Sequence, residues 1–75
     1  MSMLLKHENA RERFARNLRS WRAKRGFSQQ LLAENAGLSR VYISKVENCL
    51  ASVSIDVMER IAIVLGVDIS ELIDR

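Results

Sequence analysis

Apolar residues recur at helical spacing along nearly the whole chain. Phe14, Leu18 and Trp21 stand at i, i+4 and i+7, which stacks them on one face of an α-helix. The pattern predicts a first helix over residues 10–25, with Asn9 as its N-cap and Gly26 as its stop. Lys24 and Arg25 fall in its last turn, where cations oppose the helix dipole. Phe27 reads as a core residue that turns the chain. Ser28 can cap a second helix over 29–36, with Leu32, Ala33 and Ala36 on one face; Leu31, three positions on, makes no capping box. Ser39 can cap a third helix running to about residue 48. Ser54 opens a fourth over 55–65, with Ile55, Met58, Ile61, Ala62 and Leu65 toward the core and Gly66 as the stop. Asp68, with Glu71 three residues later, opens a short fifth helix holding Leu72 and Ile73. The class is therefore all-α with five helices, a flexible N-terminal tail over residues 1–9 and one domain over 10–75.

The third helix divides its residues in an informative way. At 100° per residue, Ile43, Val46 and Leu50 face one side, while Val41, Ser44, Lys45 and Asn48 face away and Tyr42 lies on the flank. Glu47 breaks this division, because it falls beside Ile43 and Val46. A carboxylate on a burying face needs a cation or hydrogen-bond donors, and Arg22, flanking the apolar stripe of the first helix, is the candidate.

Charge sharpens the picture. Residues 1–28 carry eight Lys and Arg against two acids, and residues 54–75 carry two against five, within a total of +3. One basic end and one acidic end suit a protein that meets phosphate on one face. The lone Cys49 admits no internal disulfide and fits a reducing, cytoplasmic setting. No apolar run approaches the roughly 20 residues of a membrane span, so no membrane partner is expected. His7 has no second His or Cys ligand nearby, and no acid–base pair, nucleophile set or phosphate-cradling glycine loop is evident. An enzyme, a metal, a cofactor and a small-molecule ligand are accordingly not expected.

The stretch Q-Q-L-L-A-E-N-A-G-L-S-R-V-Y-I-S-K-V-E-N, residues 29–48, joins two short helices at Gly37, with small Ala33 four residues earlier and Leu38 at the corner. It resembles the helix-turn-helix of the Cro/repressor family of DNA-binding proteins. The later run I-A-I-V-L-G-V-D-I-S-E-L-I resembles that family's last two helices, so the likeness spans residues 14–73. The S-R-V-Y-I-S run is particularly similar to controller proteins of restriction–modification systems. In residues 49–53 the chain departs from the family, lacking the glycine, basic residues and proline often found there.

The resemblance implies a five-helix repressor-like domain whose third helix enters the major groove of double-stranded DNA. It implies an Arg22–Glu47 ion pair and phosphate contacts from Ser28 and Gln29. Arg40 is the leading base reader, since its fork matches guanine O6 and N7; Val41 suits a thymine methyl, and Ser44 and Lys45 reach bases or flanking phosphates. Tyr42 and Asn48 are phosphate candidates, with Tyr42 equally suited to packing. Arginines 11, 13, 16 and 19 read as a solvated face that raises local potential. Val57, Val64, Ile69 and Ile73 are surplus apolar surface, either core or the interface of a homodimer reading a pseudo-palindromic operator. An antitoxin-type autoregulator or a protein-interaction module on the same fold are the alternatives.

Overall fold

A computed structural model describes residues 8–75, which form five helices and, among the described residues, no strand. They are α1 (Ala10–Arg25), α2 (Gln29–Ala36), α3 (Arg40–Glu47), α4 (Ile55–Leu65) and α5 (Ser70–Ile73). Each of the first four begins where a short polar side chain satisfies a free backbone N–H: Asn9, Ser28, Ser39 and Ser54 accept from Glu12, Leu31, Tyr42 and Val57. At α1 the Glu12 carboxylate returns the bond to the Asn9 N–H at 3.0 Å, completing a capping box. Glu8, two residues ahead of α1, grips Arg16 through both carboxylate oxygens, at 2.6 and 2.9 Å. The rest of the expected tail, residues 1–7, lies outside the described residues. α5 starts later than its sequence suggests. Its N-cap position is Ile69, and the Asp68 carboxylate instead accepts from the Ser70 N–H at 3.0 Å.

α1 packs across α3, α4 and α5, and α2 packs on α3 and α4. Phe14 and Leu18 from α1, Leu32, Ala33 and Ala36 from α2, Ile43 and Val46 from α3, Ile61, Ala62 and Leu65 from α4 and Leu72 from α5 form one buried cluster. Ala33 and Gly37 let α2 and α3 meet: Gly37 takes φ 71°, and the Leu38 N–H returns to the Ala33 carbonyl at 2.9 Å. Two residues assigned to the core depart from it. Leu50 is 73% and Ile55 70% exposed. α3 ends at Glu47, so Leu50 never completes the helical stripe, and Ile55, the first residue of α4, lies beyond the edge of the cluster.

The end of α3 shows why the chain leaves the stripe there. The Leu50 N–H bonds the Lys45 carbonyl at 2.7 Å and the Cys49 N–H bonds the Val46 carbonyl at 3.1 Å, the same six-to-one and five-to-two pattern that closes α1, α2 and α4. Those three close on left-handed glycines, whereas α3 closes on Cys49 at φ 62°. A side chain in that region costs roughly 1–2 kcal/mol, so the C-terminus of α3 holds local strain.

The arginines of α1 do more than raise a potential. Arg19 donates to the Glu47 carbonyl at the end of α3, and Arg25 to the Leu65 carbonyl at the end of α4, at 2.7 Å. Arg13 and Arg16 reach the Ile73 and Asp74 carbonyls at the end of α5, where buried Asn17 also donates to Asp74 O at 2.7 Å. From α4, Arg60 does the same for α2, reaching the Ala36 and Gly37 carbonyls at 3.3 and 3.4 Å. Helix C-termini carry unsatisfied carbonyls and a partial negative charge, so guanidinium groups placed there satisfy both. The solvated-face reading of Arg13, Arg16 and Arg19 is therefore corrected; Arg11 alone of that set has none of these bonds.

Candidate nucleic-acid interface

The site grows from the α2–Gly37–α3 corner. Burial of Ile43, Val46 and Glu47 fixes which way α3 faces, and the remaining residues are turned outward. Arg40 and Lys45 are exposed, Val41 is 57% exposed, and Ser44 lies half-buried between them. The third helix therefore presents a forked cation, a small apolar side chain, a hydroxyl and an ammonium along one outer face. Asn48 continues that line but spends its amide on the Ser44 carbonyl at 2.8 Å. Tyr42 lies against the core, with its hydroxyl donating to the Ser52 carbonyl at 2.8 Å. Its one O–H is thus committed to the 49–53 loop, and desolvation raises its pKa above the ordinary value. This favours the packing role of Tyr42 over the phosphate contact.

The carboxylate of Glu47 is 4% exposed and is fully engaged. Arg22 Nε and Nη2 donate to its Oε2 and Oε1 at 2.7 and 3.0 Å, a bidentate pair joining α1 to α3. The third guanidinium nitrogen of Arg22 bonds the Phe27 carbonyl at 2.9 Å, tying in the turn into α2. Gln29 adds a donor that the sequence reading did not assign: its Nε2 lies 3.0 Å from Glu47 Oε1. Its Oε1 in turn lies 3.5 Å from Arg40 Nη1. Gln29 is thereby half-buried and bridges the ion pair to the first residue of α3. No local pattern foretells this contact, because it depends on how α2 and α3 cross.

Ser28 stands at the exposed N-terminus of α2. Its oxygen accepts from Leu31, which leaves the hydroxyl hydrogen and the unpaired helix N–H groups facing out, an arrangement suited to an anion. The four residues expected at a dimer interface are divided. Val57, Val64 and Ile69 are half-buried against the chain's own core, whereas Ile73 is 44% exposed. The strongly exposed apolar side chains of α4 are instead Ile55 and Ile63. A wheel drawn for α4 separates Ile63 from Ile61 and Leu65, and that was the available signal. A groove of about 460 Å³ between the first turn of α1, the 49–53 loop and Ile73 contains none of the candidate DNA contacts. Among the described residues no trio of His, Cys, Asp or Glu is placed to hold a metal ion, and no helix is long and apolar enough to cross a membrane.

A family model described as helix-turn-helix matches residues 18–72. The chain belongs to that family, the Cro/repressor type, and shares its five-helix fold. Among its relatives is a control protein from Bacillus amyloliquefaciens, C.BamHI, 39% identical over 67 residues, 88% of this chain and 83% of that protein. A hypothetical transcription factor from Neisseria meningitidis is 35% identical over 66 residues, 88% of this chain. Its crystal structure superimposes with a TM-score of 0.84, over 87% of this chain and 75% of that one. SinR, a transcriptional regulator of Bacillus subtilis, has been solved in complex with DNA; that structure is 32% identical, with a TM-score of 0.78 over 81% of this chain and 98% of that one. The chain spans 62% of the length of the Neisseria factor and 53% of that of SinR.

Proposed function

We propose that this protein is a sequence-specific DNA-binding transcription regulator that docks α3 in the major groove. The observation that carries the reading is the outer face of α3. Its apolar side is consumed by the core, while Arg40, Val41, Ser44 and Lys45 face out, with the open N-terminus of α2 beside them. Arg40 and Lys45 read base edges, Val41 meets a thymine methyl, and Ser44 hydrogen-bonds a base or its flanking phosphate. Ser28, with the N-terminus of α2, and the second amide hydrogen of Gln29 hold phosphate. Asn48 retains an acceptor and one amide hydrogen for the backbone. The relatives support the class: they are named as regulators rather than enzymes, and one is seen on DNA.

The regulator works as a homodimer on a pseudo-palindromic operator. Ile55, Ile63 and Ile73 are exposed in the C-terminal part of the chain, and a domain of this size gains from covering such surface. Two copies place their α3 helices about 34 Å apart, one turn of the duplex. Fluorescence anisotropy on a duplex selected from a random pool tests the base-reading claim. Arg40→Ala should reduce preference for that duplex over random DNA by about 5- to 150-fold, the equivalent of about 1–3 kcal/mol. Equal loss on both duplexes would remove Arg40 from base reading. Sedimentation equilibrium should show a concentration-dependent dimer that Ile63→Glu dissociates; a wild-type monomer at all concentrations would refute the dimer.

A further inference from the structure

We propose that buried Glu47 is a positioning residue for base recognition, acting through Gln29 on Arg40. The inference rests on the reading of Arg40 as a base contact and assigns a second task to an ion pair that otherwise only joins helices. A carboxylate can accept hydrogen bonds but not donate them, whereas a glutamine amide has one end of each kind. Gln29 must therefore turn its NH2 toward Glu47, 3.0 Å away, and its carbonyl oxygen is left facing Arg40 Nη1 at 3.5 Å. The orientation of that amide is set from inside the protein. Glu47 cannot swing, because two nitrogens of Arg22 hold its two oxygens, and Arg22 is held by the Phe27 carbonyl. A succession of fixed bonds thus runs from the α1–α3 contact to the tip of a side chain that is otherwise free in solvent.

The consequence falls on Arg40. Its contact with Gln29 is long and uses one of five guanidinium N–H groups, so it steers the side chain while four donors stay available for a base. Restricting a long side chain before binding removes part of the ordering cost that recognition would otherwise carry. The second Gln29 amide hydrogen remains free for phosphate, so positioning and phosphate contact do not compete.

The test uses the whole chain and a panel of duplexes derived from a selected site, each with one base pair changed. Arg40→Ala first identifies the base pair that Arg40 reads, as the one whose preference disappears. Gln29→Ala and Glu47→Gln should each lower preference at that same base pair by about three- to tenfold and leave the other positions unchanged. Glu47→Gln acts because an amide has one acceptor oxygen where the carboxylate had two, so one Arg22 N–H is left facing an NH2 and the anchor that fixes Gln29 is loosened. Neither change should alter any preference further in an Arg40→Ala background. If Glu47→Gln does not fold, Gln29→Ala and Gln29→Leu, at a half-buried surface position, decide alone. Uniform weakening on every duplex with preferences intact would overturn the proposal and leave Gln29 a phosphate contact. If Arg40→Ala itself abolishes no base preference, the assignment of Arg40 fails, and this proposal falls with it by a result that is visibly different.

Discussion

Replacing Glu47 by alanine should be among the most damaging single changes in this protein. The carboxylate is 4% exposed, takes two charge-assisted bonds from Arg22 and one from Gln29, and links three elements. Truncation strands the Arg22 guanidinium, for which removal of one partner of a buried pair costs about 3–5 kcal/mol. The Arg22 side chain keeps 22% exposure, so water recovers part of that loss and a cost of about 2–4 kcal/mol is expected. A domain of this length is stable by about 4–11 kcal/mol, and each kcal/mol moves Tm by roughly 4–8 °C. Thermal unfolding followed by circular dichroism should therefore show a drop of roughly 8–32 °C. Glu8→Ala is the internal comparison. It breaks an equally short pair, Arg16–Glu8 at 2.6 Å, but one open to solvent, where pairs contribute little. Arg22→Leu with Glu47→Leu should be milder than Glu47→Ala, because no charge is left buried without a partner. A Tm for Glu47→Ala as close to wild type as that of Glu8→Ala would refute the reasoning.

Three further outcomes follow from particular contacts. Cys49→Gly should raise Tm, by up to about 12 °C, since relief of about 1–2 kcal/mol of left-handed strain is set against the roughly 0.5–1 kcal/mol of glycine's added unfolded-state freedom; Cys49→Ala keeps the strain and should give no gain in the same melts. Lys45→Ala should relax preference at one base pair and leave the slope of log K against log salt unchanged; a slope smaller by about 1 with preference intact would reassign Lys45 to phosphate. Acid should weaken the fold through Glu8 and Asp68, whose carboxylates are held below their ordinary pKa by Arg16 and by the Ser70 N–H respectively. Each folded pKa is lowered, so each contribution is present above the ordinary carboxylate range and is lost as pH falls through the lowered value. Glu8→Gln should flatten the fall in Tm between pH 6 and pH 3 measured for wild type, and an identical profile would count against the Glu8 contribution.

Much of the architecture is legible in the chain because local chemistry and apolar spacing agree. Ser28, Ser39 and Ser54 each stand one residue before a run of helical periodicity, and each caps it. Glu47 stands out as a charge on a burying face, which is enough to look for Arg22. What could not be read depends on crossings between helices. Nothing near Arg19, Arg25 or Arg60 indicates that each reaches the carbonyl end of a different helix, so a row of arginines looks like a solvated face. Gln29 looks like a plain phosphate contact until α2 is laid beside α3. Leu50 and Ile55 were misplaced for a simpler reason: a helical wheel continues past the point where the backbone turns. Cys49 offered a weak warning, since it occupies the closing position that glycine fills in α1, α2 and α4.

The central claim, that α3 reads sequence in paired half-sites, is tested most directly by selecting bound duplexes from a random pool at two salt concentrations. The account predicts an inverted repeat, its half-sites about one duplex turn apart, that survives the higher salt. Weak binding to all sequences that disappears as salt rises would contradict it, leaving only the basic end of the molecule in contact with phosphate.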